Sequence, residues 1–285
     1  MTGKYITSDS ESVEVTVLVP AYRPGEWIDR LLSSLAEQEG CSFRVAISID
    51  HSRGEDEAAV RQAVGRYLPS HDVSVVTHPN RLGWVDNTNH LLSDARTRFV
   101  CVLPQDDYVG RHYLARLRTA HEQHPGASVT FCDMRLEGNG YGQWEAAWNA
   151  IWSSRLRNPL RRWRLAREIW REGVVIRASS LCGDRDERVR LFLLSYFNAV
   201  AFRGMIDTGV MGEHLRIRHG RDDDFAADAV WMLVMADRGP IIRVPEVLYF
   251  KCFHQRNTHT PWEDFPKDCL WSRWLAHCQD CHEQL

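Results

Sequence analysis

Apolar and polar positions along the first hundred or so residues switch repeatedly between two periods. Val13–Val19 (VEVTVLV), Phe43–Ile49, Val73–Val76 and Phe99–Leu103 (FVCVL) are short β-branched or apolar runs closed by polar residues. Runs of that length bounded by turn residues predict strands. Between them, Gly25–Gln38, Glu55–Leu68 and Val85–Ala95 place apolar residues three and four apart, as at Trp27, Ile28, Leu31, Leu32 and Leu35. That spacing predicts amphipathic helices. Strictly alternating strands and helices predict an α/β fold, a Rossmann-like, mostly parallel central sheet flanked by helices. Each strand runs into a polar loop: Pro20-Ala21-Tyr22, Asp50-His51-Ser52, His78 to Gly83, and Gln105-Asp106-Asp107. Ligands of open α/β sheets bind outside the carboxyl ends of the strands, so these loops are expected to share one rim.

The second half changes character. Val129–Asp133 predicts a further strand, and a glycine-rich turn follows at Gly138–Gly142. From Trp144 to Trp170 the chain is dense in tryptophan and arginine, with Trp152, Leu156, Leu160, Trp163 and Trp170 at helical spacing and Pro159 interrupting. Two readings stay open for residues 152–171: a basic amphipathic helix lying on an anionic membrane surface, or an ordinary helix with a solvated face. Arg190–Phe202 predicts a helix, and a loop is expected from Arg203-Gly204 to Gly220. The acidic cluster Asp222-Asp223-Asp224 and Asp228 leads into an apolar helix over Ala229–Ala236. Two strands, Ile241–Val244 and Val247–Phe250, and a C-terminal helix close the chain.

Composition narrows the function classes. Hydrophobic residues make up 44% and charged residues 26% of the 285-residue chain, ordinary for a globular protein. The formal net charge of -3 supplies no global basic field for nucleic acid. No apolar run is long enough to span a bilayer, and the opening MTGKYITSDSES lacks the apolar core of a signal peptide, so a cytoplasmic location is expected. Cys278 and Cys281 form a C-x-x-C, but no second well-spaced pair accompanies it, so structural zinc is not expected. Neither glycine-rich phosphate motif is present, so nucleotide phosphates would have to be held by a metal and arginine.

The chemistry gathers at Asp106 and Asp107. Adjacent carboxylates directly after a buried strand can hold a hard cation against a phosphate. Asp107 is also placed to cap a helix beginning near Gly110.

In their order and spacing these pieces resemble the family 2 glycosyltransferases of the GT-A fold, over most of the chain from Val15 to about His259. Val15 to Tyr22 (VTVLVPAY) is similar to the family's first strand and Pro-Ala-Tyr turn. Ile49-Asp50-His51-Ser52 matches its Asp-Asp-Gly-Ser strand end with one Asp retained. Asn80-x-x-Gly83, Asn89 and Ala95 resemble its N-x-x-G…N…A segment, and Leu103-Pro104-Gln105-Asp106-Asp107 falls where it carries Leu-Asp-x-Asp-Asp. Ala227-Asp228 before Trp231 stands at its Glu-Asp, and Pro245–Tyr249 with Lys251-x-x-His254 resembles its closing strand and Arg-x-His end. Three positions depart from the pattern: Pro104 replaces an Asp, Ala227 a Glu and Lys251 an Arg.

The resemblance implies an inverting enzyme that moves a sugar from a nucleotide-diphosphate sugar, a UDP-sugar by family prevalence, to an acceptor hydroxyl. Asp228 would be the general base, and Mn2+ or Mg2+ would be held by Asp106 and Asp107, with His254 a further candidate. Pro20, Ala21, Tyr22, Asp50, Arg81, Asn89, Gln105 and Asp106 would bind the donor, Tyr22 and Asp50 at the base and Arg81 at the diphosphate. Asp133 and Trp144 are the acceptor-side candidates, for a glycan, a lipid-linked or a small-molecule acceptor. The implied organisation is a tail over 1–12, a nucleotide-sugar-binding half over 13–109, an acceptor half over 110–260 with the Arg/Trp-rich helical insertion 144–172, and a C-terminal extension over 261–285. The departures at Pro104 and Ala227 keep a second reading open, a non-catalytic nucleotide-sugar- or glycan-binding protein of the same fold.

Overall fold

The computed structural model describes residues 13–25, 27–51, 54–138, 167, 173–194, 200–253 and 267–284. In the first half the expected alternation is present: β1 (Val15–Ala21), α1 (Trp27–Ala36), β2 (Phe43–Ile49), α2 (Gly54–Tyr67), β3 (Val73–Thr77), α3 (Trp84–Asp94) and β4 (Phe99–Val102). Strands β2, β1 and β4 are buried at almost every position, as expected of strands covered by helices on both faces. They pair in parallel in the order β3-β2-β1-β4, with Val15 opposite both Phe43 and Phe99.

After β4 the chain forms β5 (Tyr108–Val109), α4 (Tyr113–Gln123), β6 (Val129–Gly138) and β7 (Val174–Ile176). It continues through α5 (Arg185–Leu194), β8 (Met205–Asp207), α6 (Thr208–Met211), α7 (Ala227–Arg238), β9 (Ile241–Phe253) and α8 (Lys267–Gln284). The sheet extends as β4-β8-β6-β9-β5, with β8 antiparallel to both β4 and β6 and β9 parallel to β6. One continuous apolar core runs from α1 to α7 on the two sides of this sheet.

Three expectations are corrected. The helix expected over Arg190–Phe202 is α5, which starts earlier because the Asp184 carboxylate accepts the Glu187 N–H at 2.8 Å, an N-cap. A 3-10 turn covers Ala201–Arg203, and residues 195–199 of the expected helix lie outside the described residues. The two closing strands are one, β9, whose register against β6 jumps from Cys132↔Val244 to Asp133↔Val247. Pro245 has no N–H for the ladder, so the strand bulges there and resumes. Finally, Asp107 caps no helix: α4 begins at Tyr113, with His112 as its first flanking residue.

Strand β8 lies in the stretch expected to be loop. It is three residues long, too short to show a period, yet all three are buried between β4 and β6. Its entry depends on Gly204, where an added Cβ would come to 2.1 Å of the Thr130 carbonyl oxygen. The Arg/Trp-rich segment 144–172 lies outside the described residues apart from residue 167. Among the described residues no helix is long and apolar enough to cross a membrane.

Candidate active site

The carboxyl ends of β1, β2 and β4 meet through side chains that join one loop to the next. The Gln105 side-chain amide pairs reciprocally with Tyr22: Tyr22 N–H donates to Gln105 Oε1 at 2.8 Å, and Gln105 Nε2 donates to the Tyr22 carbonyl at 2.7 Å. Gln105 therefore locks the exit of β4 to the exit of β1. Pro20 and Ala21 form the end of β1, and the Ala21 carbonyl accepts the Asp50 N–H at 2.7 Å. Asp50 is buried, and its two oxygens accept the N–H groups of Leu82 (2.6 Å) and Gly83 (3.0 Å). Its carboxylate thus orders the loop that carries Arg81.

The Arg81 guanidinium lies 4.6 Å from the Tyr22 ring centroid and that of Arg23 5.1 Å, so one aromatic ring gathers two cations. Arg81 is exposed and has no acidic partner among the described residues. Asn89 is buried on α3. Its amide bonds both ways with the Ile217 backbone at 2.8 Å, fastening α3 to the chain that leads toward Asp228.

The two aspartates after β4 diverge. Asp106 is half-buried, at the rim. Asp107 is 2% exposed and turned inward; it accepts from the Tyr249 hydroxyl and from the Cys252 N–H at 3.0 Å, and Arg203 Nε lies 3.5 Å away. Burial pushes the Asp107 carboxyl up to about 6, against the opposing pull of Arg203. Burial also works against the charge of Arg203, but Tyr249, Asp107, Asp228 and Asp106 more than offset it, and its pKa is raised. Lys251 is pushed down to about 8 by burial and by the like charge of Arg203, while Asp107, Asp106 and Asp228 pull the other way. Asp106, Asp107, Asp228, Arg203 and Lys251 therefore influence one another, from the loop after β4, the 3-10 turn before β8, the first turn of α7 and the late part of β9.

Asp228 stands in the first turn of α7, half-buried, with Oδ1 accepting the Ala229 N–H at 3.0 Å. The residue flanking that helix is Ala226, in the left-handed conformation, so Asp228 is not its cap. Asp133 belongs to a different part of the sheet: Arg243 meets both of its oxygens, at 2.6 and 2.8 Å, and Arg177 lies at 3.7 Å. Asp133 is thus 3% exposed and held by two arginines. Trp144 and His254 lie outside the described residues. Arg203 and Tyr249 were invisible as site residues in the sequence; the one trace was the Arg203-Gly204 break after an apolar run.

The loop before α7 carries a pH-sensitive tie. His219 Nδ1 is 3.0 Å from an Asp224 oxygen and Nε2 is 2.9 Å from Asp86 on α3. Desolvation lowers the imidazole pKa, but the hydrogen bonds to Asp86 and Asp224 outweigh it and the net shift is upward. A histidine whose folded pKa is raised adds stability below its unfolded pKa and loses it as pH rises through the folded value. The melting temperature should therefore fall from about pH 6 to about pH 8 more steeply in the wild type than in His219→Gln. Parallel slopes would remove this histidine as the cause.

The sequence model described as Glycosyl transferase family 2 matches residues 16–180. MT1568, an uncharacterized protein of Mycobacterium tuberculosis, is 28% identical over 137 residues, covering 48% of this chain and 41% of that protein. Among solved structures, S. aureus TarS 1-349 in complex with UDP-GlcNAc aligns with a TM-score of 0.59 and 17% identity, over 87% of this chain and 60% of that one. The mannosyltransferase PcManGT from Pyrobaculum calidifontis, in complex with GDP-Man and Mn2+, aligns with a TM-score of 0.54 and 16% identity, over 87% and 59%. The chain thus spans less than two thirds of the length of these relatives, and the structural likeness is one of GT-A fold.

Proposed function

The chain belongs to glycosyl transferase family 2, and on that premise we propose that it transfers a sugar from a nucleotide-diphosphate sugar to an acceptor hydroxyl with inversion at the anomeric carbon. One observation carries the reading: the loop after β4 joins Tyr22 through Gln105 at one end and, at the other, sets Asp107 3.5 Å from the buried Arg203 and against the backbone of Cys252, next to Lys251. Three carboxylates, a buried Arg203 and a half-buried Lys251 on the carboxyl-end side of a sheet suit a reaction that releases a diphosphate and takes up a proton.

In this reading Tyr22 contacts the nucleotide base, and the lone pairs left on Asp50 accept from it. Arg81 meets the diphosphate. Asp228 takes the proton of the acceptor hydroxyl as its oxygen bonds to the anomeric carbon and the bond to the leaving diphosphate breaks. Attack opposite the leaving group inverts that centre. Arg203 and Lys251 bring fixed positive charge toward the departing phosphates.

The residues fit a divalent cation in one manner. Pro104 offers no ligand, Asp107 is engaged within the core, and among the described residues no group of three His, Cys, Asp or Glu could hold a metal by itself. That leaves Asp106, and Mg2+ or Mn2+ held by one carboxylate plus substrate phosphates is an ordinary arrangement. The cation would act there as a Lewis acid on the leaving diphosphate. TarS with UDP-GlcNAc and PcManGT with GDP-Man make UDP- and GDP-sugars the first donors to test.

The test is thermal stability with UDP, GDP and their sugars, with and without Mn2+. A ligand at ~100 times its Kd stabilises by about 2.7 kcal/mol. We expect one nucleotide to give a metal-dependent shift that Asp106→Ala removes. A metal-independent shift would assign the phosphates to Arg203 and Lys251 alone. Binding without turnover would favour the second reading, a non-catalytic nucleotide-sugar-binding protein, to which Pro104 and Ala227 already point. No shift with any nucleotide would overturn both.

A further inference from the structure

Asp228 is reached through a strained stretch of chain. Asp223, Asp224 and Ala226 have φ of 49°, 57° and 55°, the left-handed region that non-glycine residues seldom adopt. Such a conformation persists only where its surroundings over-determine it. The surroundings here are largely the C-terminal helix α8, outside the segment matched by the family.

The polar and aromatic contacts of α8 concentrate on this stretch. Asp280 accepts the Arg221 N–H at 3.0 Å with one oxygen and faces Arg221 Nε at 3.1 Å with the other, while Arg221 also pairs with Glu283. The Asp280 side chain is only 12% exposed, which screens this pair less than a surface one. Arg273 Nε meets Asp222 at 3.2 Å, and the Trp274 ring stands edge-on to Phe225 with centroids 5.2 Å apart. One turn further, His277 lies within electrostatic reach of Asp228 itself. Its Nδ1 is buried with no hydrogen-bond partner among the described residues, and its Nε2 is 3.6 Å from Cys281 Sγ. From the opposite side His219 ties Asp224 to α3.

We propose that α8 is a positioning element of the transfer reaction. It holds residues 221–226 in their strained course so that Asp228 presents its carboxylate to the acceptor hydroxyl, and Arg221–Asp280 is the contact that sets this position. The inference rests on the reading of Asp228 as general base. It assigns the C-terminal helix to kcat and not to donor binding, because the donor-side residues Tyr22, Asp50, Arg81 and Gln105 make none of these contacts.

The experiment uses the full chain and needs no known acceptor: nucleotide release from UDP-GlcNAc and GDP-mannose with water as acceptor, plus Mn2+. Misplacing a catalytic group by about 1 Å can cost about 100-fold in rate. Asp280→Asn should lower kcat about 10- to 100-fold and leave donor KM and the donor-induced thermal shift within about two-fold of wild type. Asp280→Glu, which keeps the negative charge and the acceptor oxygens, should recover most of the loss, which a general loss of packing would not. Should Asp280→Asn fail to fold, Glu283→Gln reads out the same kcat-against-KM split.

Unchanged kcat in Asp280→Asn, or an Asp280→Glu no more active than Asp280→Asn, overturns the proposal. Asp228→Asn measured alongside separates the two claims. An inactive Asp228→Asn beside a fully active Asp280→Asn removes only the positioning role, whereas an active Asp228→Asn removes the base and the positioning role with it. A wild type that turns over neither donor also overturns the proposal.

Discussion

Asp228→Asn should lower kcat for sugar transfer by about 10²–10⁴-fold, the usual contribution of a positioned general base, with donor KM nearly unchanged. Asparagine keeps the shape and the hydrogen bond to the Ala229 N–H, so α7 should start where it does now. What it loses is the capacity to accept a proton. The substitution also removes one of three negative charges around Arg203 and Lys251, so donor phosphates should bind no worse. A variant that retains donor-induced stabilisation and loses turnover fits the base assignment. One that retains turnover places proton acceptance elsewhere.

The largest effect on stability should come from Arg203→Met. Arg203 is 9% exposed and lies 3.5 Å from Asp107, which is itself buried. Removing one partner of a buried pair leaves an uncompensated charge, typically at a cost of about 3–5 kcal/mol. In a chain of this size that corresponds to a fall in melting temperature on the order of 10 °C, taking about 2–4 °C per kcal/mol. The Tyr249 hydroxyl and the Cys252 N–H would still serve Asp107, which holds the expected loss within that range. Methionine fills much of the arginine volume, so the loss reports charge more than cavity. The double variant Arg203→Met with Asp107→Asn removes both charges and should recover a large part of the stability, because a buried pair can be replaced by neutral groups at little net cost. A double variant no more stable than Arg203→Met would show that packing, not charge pairing, governs the loss.

Legibility in the sequence differed by element. Strand β2 and the start of β4 fall where their apolar runs predict, because a strand buried on both faces writes its burial into consecutive residues, and the start of β3, only half-buried, falls where its β-branched run predicts. The loops after those strands were legible for the same reason: each polar residue that breaks an apolar run marks a strand end. Asp106 and Asp228 could be singled out on that basis and from the order of the motifs. Strand β8 could not, since three residues carry no period, and β9 read as two strands because Pro245 interrupts a ladder that in fact continues past it.

By itself, then, the sequence determined the alternating α/β order, the rim on which the polar loops gather, and the membership of the family. These follow from local burial periodicity and from short motifs, which neighbouring residues express together. The tertiary structure alone decided which partners the polar side chains of these loops take. Asp50 is engaged by the amides of Leu82 and Gly83, Asn89 by the Ile217 backbone, Asp133 by Arg243 and Asp107 by Tyr249, Cys252 and Arg203. It also brought Lys251 and Arg203 within electrostatic reach of one another and set α8 against the loop before Asp228. The physical reason is common to all of them. A charged side chain takes its partner from whatever the packed core brings within a few ångströms, and that partner lies on another element, far along the chain, where no local pattern records it.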